Sequence, residues 1–194
     1  MNDHIVKAFD EEIKGLNQRI ADMAGLCEDQ LARATDAFRN LDKELAVAVD
    51  LRHLLSAMRI ASKIERIADY AANIGRQVTE LSQAPAREAA DLIIDMAEIC
   101  RTMLKDAVDA FLEMDTDKAE AVWKRDDEVD RKFARMMRFV RRQMQDEANA
   151  IADGTQLIFI GRFCERIGDH ITNISEDIYY TKTGQSYIGS FDLT

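Results

Sequence analysis

Apolar residues recur along this chain in alternating steps of three and four. The first run is Phe9, Ile13, Leu16, Ile20, Met23, Cys27, Leu31, Ala34, Phe38 and Leu41. The last long run is Leu157, Ile160, Cys164, Ile167, Ile171, Ile174 and Ile178. This spacing lays one apolar stripe along each of several long helices, as an antiparallel bundle requires. Breaks are few. Ser82-Gln83-Ala84-Pro85 separates two helices, Asp115-Thr116-Asp117 offers cap residues before another, and Asp153-Gly154-Thr155 separates the last two. The stripes predict helices over about 85–114, 117–148 and 155–180, preceded by helical stretches over about 3–40 and 42–80. Periodicity fades after Tyr180, so 183–194 reads as a C-terminal arm.

The polar positions repeat as well. Residues 64–74, IERIADYAANI, and 164–174, CERIGDHITNI, share six of eleven positions at an offset of 100. Upstream, 37–49 and 110–122 share six of thirteen at an offset of 73. The chain is therefore a tandem duplication whose first copy lacks about 27 residues near Asp50 that the second copy has at roughly 124–150. The predicted fold is all-α: two tandem three-helix bundles, the first lacking most of its middle helix. The first repeat covers 1–82 and the complete second repeat 83–182. A two-helix remnant leaves an apolar stripe unpaired. Shared helices, a partner chain or an omitted segment would each resolve that.

Composition narrows the function classes. One proline and eight glycines in 194 residues cannot supply the turns of an all-β fold, and there is no Gly-rich phosphate loop or dinucleotide fingerprint. Thirty-six acidic residues against 26 basic ones give a net charge of −10, the wrong sign for binding a phosphate backbone, so no nucleic-acid partner is expected. The bases do cluster at Arg131, Lys132, Arg135, Arg138, Arg141 and Arg142. That cluster reads first as a solvated helix face, and second as a stripe for an anionic membrane surface or an acidic partner. Cys27, Cys100 and Cys164 make no CxxC pair, and Cys100 and Cys164 fall at apolar positions, as buried thiols of a reducing compartment do. No uncharged stretch approaches the ~20 residues of a membrane span. Met1-Asn2-Asp3-His4 lacks the start of a signal peptide, so a cytoplasmic location is expected.

Carboxylates carry the candidate chemistry. Glu65 and Asp69 are four apart and share a helix face, and Glu165 and Asp169 repeat the arrangement. Asp126 and Asp130 give the same spacing on the second copy's middle helix. Asp126 lies on the apolar phase Val122, Asp126, Val129, Phe133, Met136, Val140. Like charges four apart destabilise a helix by ~0.2–0.5 kcal/mol. A carboxylate at a helix seam facing further carboxylates is costly unless a cation neutralises it. Two such helices side by side would converge four oxygen ligands, suited to Mg²⁺, Ca²⁺, Mn²⁺ or iron, with zinc a further divalent candidate. Any one pair alone reads first as a solvated acidic face; its recurrence in both repeats with flanking identities brings the functional reading level with that. Asn73 and Asn173 extend the stripe and read as outward-facing polar residues. His4, His53 and His170 form no ligand set, and Ser/His/Asp, HExxH and Walker motifs are absent, so no catalytic residues are expected.

At these residues the sequence resembles the PhoU family, accessory regulators of bacterial phosphate uptake built from two tandem three-helix bundles. Glu65-Arg-Ile-Ala-Asp69, Asp126-Asp-Glu-Val-Asp130 and Glu165-Arg-Ile-Gly-Asp169 match the family's E(D)xxxD motif. Asp10-Glu11-Glu12 with Met23-Ala24-Gly25, and Tyr179-Tyr180 with Gly184-Gln185, also look familial. The resemblance implies a non-enzymatic metal-binding adaptor, homodimeric and held at the membrane through partners. It would couple a phosphate ABC transporter to a sensor histidine kinase and repress the phosphate-starvation response. The departure is the missing segment, which would leave Glu65 and Asp69 without partner carboxylates, whereas Asp126, Asp130, Glu165 and Asp169 form a full set. A metal-dependent hydrolase and a purely structural helical partner are the competing readings.

Overall fold

The computed structural model describes residues 25, 28, 31–32, 35–36, 38–41 and 51–187. Most of the first predicted helix, His4, Cys27, the Asp50 junction and the end of the C-terminal arm lie outside the described residues. Every described element is helical: α1 (Leu51–Thr79), α2 (Arg87–Glu113), α3 (Thr116–Asp146) and α4 (Ala150–Thr183).

Contacts divide the chain between Leu55 and Ser56. In the first unit a helical stretch ends at Asn40, Leu41 follows in the left-handed region at φ 52°, and the first residues of α1 close the unit. Leu31, Phe38 and Leu41, members of the first apolar stripe, are exposed there.

The second unit is built on α2, α3 and α4, which pack pairwise. Their stripes land where the periodicity places them. Leu92, Met96, Cys100, Met103 and Ala107 of α2, with Val122, Val129, Met136 and Val140 of α3, are buried. So are Leu157, Ile160, Cys164, Ile167, Ile171, Ile174 and Ile178 of α4. Helix α4 also buries Asp153, Ser175, Asp177 and Thr181: Asp153 beneath the Ser82 linker, Ser175 beside Trp123 and Tyr187, and Asp177 and Thr181 against Lys63 and Ser56 of α1. From α1, Ile60 and Ile67 enter the same core, Tyr70 stacks on Phe163 and His170, and Lys63 pairs with Asp177. From Ser56 onward, α1 is thus a packing element of the second unit.

The turns follow local chemistry. Met114 takes the left-handed conformation at the end of α2, and its N–H reaches back to the Ala110 and Phe111 carbonyls. Asp115 then caps α3, accepting from the Asp117 and Lys118 N–H groups at 3.0 Å each. The break expected at Asp153-Gly154-Thr155 falls earlier, at residues 147–149, and α4 runs straight through that tripeptide. Two tertiary contacts explain the difference. Asp153 accepts from the Ser82 N–H at 2.9 Å and its hydroxyl at 2.7 Å, while Gly154 faces Met144 and Val140 of α3. The arm is also more ordered at its start than expected: Gly184 closes α4 at φ 72°, and Tyr187 lies edge-on to Trp123 and Tyr179.

Candidate metal centre

The candidate site lies on the seam between α3 and α4. Glycines recur on α4 every seven residues, at Gly154, Gly161 and Gly168, all facing α3. A Cβ at Gly154 would lie 2.7 Å from Met144 Cγ, and one at Gly161 would overlap Met136 Cε. At Gly168 the clash would be with Asp126 Oδ1. Two α3 methionines fill the first two notches, and a carboxylate fills the third. This is why Asp126 occupies an apolar phase: the glycine makes room for it.

Asp169, Glu165 and the more exposed Asp130 lie near enough for their charges to act on Asp126. Burial, followed by the charges of Asp130, Asp169 and Glu165, pushes the Asp126 carboxyl up to about 7. Burial also raises Asp130, with Asp169 and Asp127 acting in the same direction and Arg162 opposing. Glu165 is raised by burial and by Asp169, against Arg162 and Arg166. Asp126 Oδ1 and Glu165 Oε2 are buried without a hydrogen-bond partner. Arg162 pairs with Glu165 while its guanidinium lies over the Phe133 ring, and Arg166 pairs with Asp169 at 3.3 Å. The back wall is apolar and sulfur-lined. Cys100 Sγ donates to the Cys164 carbonyl at 3.4 Å, and burial, with Cys164 and Asp126 nearby, pushes its thiol up to about 12. Both thiols are free and buried.

The donor set fits a hard cation: carboxylate oxygens, two of them orphaned, and neighbouring negative charges that raise one another. The side chains do not stand in a closed coordination shell. Among the described residues, no three His, Cys, Asp or Glu side chains are gathered as a ready set of metal ligands. Glu165 and Asp169 instead rest on the arginines one turn away. Taking up a cation would require them to turn from Arg162 and Arg166 toward Asp126.

The other sequence candidates fall elsewhere. Glu65 and Asp69 are exposed on α1, and Asp69 faces Arg66 at 3.9 Å. Neither joins the four-carboxylate cluster. His170 stacks on Tyr70, with burial lowering its basicity and Nδ1 enclosed without a partner. Asn173 spends its amide on the Asp169 carbonyl at 2.6 Å. Gly168 was not among the sequence candidates. Its signals were the seven-residue glycine spacing and the Ala68 that stands at its place in the first copy.

Comparison with known proteins bears on this geometry. The PhoU domain family matches residues 47–78 and 93–178. The phosphate-specific transport system accessory protein PhoU homolog of Caulobacter vibrioides is 32% identical over 216 aligned positions, covering 95% of this chain and 94% of that protein. The Escherichia coli K12 accessory protein PhoU is 27% identical, covering 96% of this chain and 90% of its own length. Two crystal structures share the fold at 26% identity. One, the phosphate transport system regulatory protein PhoU from Streptococcus pneumoniae, has a TM-score of 0.67 and covers 93% of this chain and 99% of its own. The other, PhoU from Pseudomonas aeruginosa, has a TM-score of 0.68, with 91% and 100% covered.

Proposed function

The chain belongs to the PhoU family, and from that premise we propose that this accessory protein of phosphate transport is a cation-binding adaptor. In this reading it sits in the cytoplasm and joins a phosphate ABC transporter to a sensor histidine kinase. It represses the starvation response when phosphate is plentiful. The observation that carries the cation is the buried, unpartnered Asp126 Oδ1 in the Gly168 notch, with Asp130, Glu165 and Asp169 around it. Asp126 and Glu165 would supply the inner oxygens, and Asp130 and Asp169 the outer ones. When bound, the cation supplies charge neutralisation that stiffens the α3–α4 seam. The chain's own residues hold the position: Gly168 sets the depth of Asp126, and Arg162 and Arg166 hold Glu165 and Asp169 when no cation is present.

A hydrolase reading has less support. The one histidine beside the cluster, His170, is turned into the α1–α4 interface against Tyr70 and is poorly placed as a general base.

Elemental analysis of protein purified without chelator, alongside Asp126→Asn and Asp169→Asn, tests the site. The expected result is bound Mg, Mn, Fe, Ca or Zn that falls sharply in both variants. Equal metal content in wild type and variants would remove the cation from this proposal. Pull-down of transporter and kinase components from phosphate-replete cells tests the adaptor role separately, and sedimentation of the same preparation reports whether it is a homodimer.

A further inference from the structure

The charge of α3 is segregated along its length. From Arg131 to Arg142 the helix carries six cations, and no acidic residue interrupts it before Asp146. The chain as a whole carries −10. Two of the six are committed to neighbouring helices: Lys132 reaches Asp95 at 2.8 Å and Arg135 reaches Glu88 at 2.9 Å. Arg131, Arg138, Arg141 and Arg142 are exposed, and none lies within ion-pair distance of a carboxylate among the described residues. Arg131, Arg135, Arg138 and Arg142 stand at i, i+4, i+7 and i+11, so they form a nearly straight row about 16 Å long on one side of the helix.

We infer that this arginine row is a docking surface for an anionic phospholipid bilayer, oriented by electrostatics alone. The row runs along exposed helix, with Lys132 and Arg135 offsetting Asp95 and Glu88 of α2 beside it. It also lacks what a specific protein interface requires at its centre. None of the exposed large hydrophobic side chains among the described residues lies on α3, so no apolar anchor is available to fill a partner's pocket. Guanidinium forks match phosphate oxygens in pairs. The rest of the acidic surface is repelled by the same bilayer, which leaves one orientation favoured. The row begins at Arg131, next to Asp130 of the carboxylate cluster, and runs away from it toward the end of α3, so Arg138, Arg141 and Arg142 lie about two to three turns from that site.

The test is co-sedimentation of the full chain with vesicles of phosphatidylcholine, with and without phosphatidylglycerol, at low and high salt. Binding is expected only with phosphatidylglycerol and only at low salt. The triple variant Arg131→Gln, Arg138→Gln, Arg142→Gln should lose about 5-fold per charge removed. The matching triple lysine variant, which keeps the charge, should retain most of the binding. Thermal melting of both variants checks that they are folded. The inference is overturned if the wild type ignores phosphatidylglycerol vesicles at low salt, or if the glutamine variant binds as well as the wild type while folded. It is equally overturned if the row binds soluble poly-glutamate but not vesicles, since the partner is then an acidic protein.

Discussion

Gly168 and Asp126 face each other across the α3–α4 seam so closely that a Cβ on the glycine would overlap the carboxylate oxygen. The first repeat has Ala68 at the equivalent place. Gly168→Ala should therefore act in two opposing ways. Alanine favours the helix by roughly 0.5–1 kcal/mol over glycine. Forcing Asp126 out of its notch costs about 1–3 kcal/mol, as overpacking does elsewhere. The expected net effect is modest destabilisation in a thermal melt together with a large loss of bound metal. Retention of full metal content by the alanine variant would show that Asp126 does not need the notch.

Asp126 also sets a pH dependence. Its carboxyl rises from 3.8 to about 7 on folding, chiefly through burial. The native state therefore holds a proton that the unfolded chain has already released between those values. Stability from this group is fully present below about pH 4 and is lost as pH rises toward 7. Because solvent reaches part of the site, about 1–2 kcal/mol is expected across that window. Urea unfolding of metal-free protein across it should show the decline. Asp126→Asn should flatten it, and added cation should restore stability at the upper end.

Both effects begin from features that periodicity exposes. Asp126 is visible in the sequence because it interrupts the Val122–Val129 phase, and the repeated ERI(A/G)D segments mark Glu165 and Asp169. The four helices were legible for the same reason: each apolar stripe is long and regular. What misled was Asp153-Gly154-Thr155, whose residue types suit a turn. Its glycine serves helix packing and its aspartate caps the Ser82 linker, and neither contact has a local signature. The equivalence expected of Glu65 and Asp69 with Glu165 and Asp169 also stops at the helix face. Position on a face was readable, whereas the presence of a facing carboxylate helix was not. The Lys63–Asp177 pair was invisible because its members lie 114 residues apart.

That pair ties α1 to α4. The Asp177 side chain is 11% exposed and the Lys63 side chain 22%, and Arg59 approaches the same carboxylate at 3.8 Å. Removing one member strands a mostly buried charge. Asp177→Ala should cost about 2–4 kcal/mol, less than a fully enclosed pair because Lys63 can turn toward water. Replacing both with Met and Leu should recover most of the loss. A double-mutant cycle by chemical denaturation measures the coupling, and additive single effects would mean that the pair adds nothing to the contacts made by Ile60, Ile67 and Tyr70.

The chain's single tryptophan offers a direct probe of the arm. Trp123 meets Tyr187 at 5.4 Å between ring centroids, and Tyr187 meets Tyr179 at 5.0 Å, both edge-on. Ala119, Glu120 and Ser175 complete the lining. Burial, with Glu120 nearby, raises the Tyr187 hydroxyl above its ordinary value. Edge-on aromatic pairs contribute about 0.5–1.5 kcal/mol beyond area burial. Tyr187→Ala should therefore lower stability by about 1 kcal/mol and leave the helices intact by circular dichroism. The sharper readout is acrylamide quenching of Trp123, which should rise clearly in the variant while Tyr187→Phe stays close to wild type. Unchanged quenching in Tyr187→Ala would mean that the arm does not rest on Trp123 in solution.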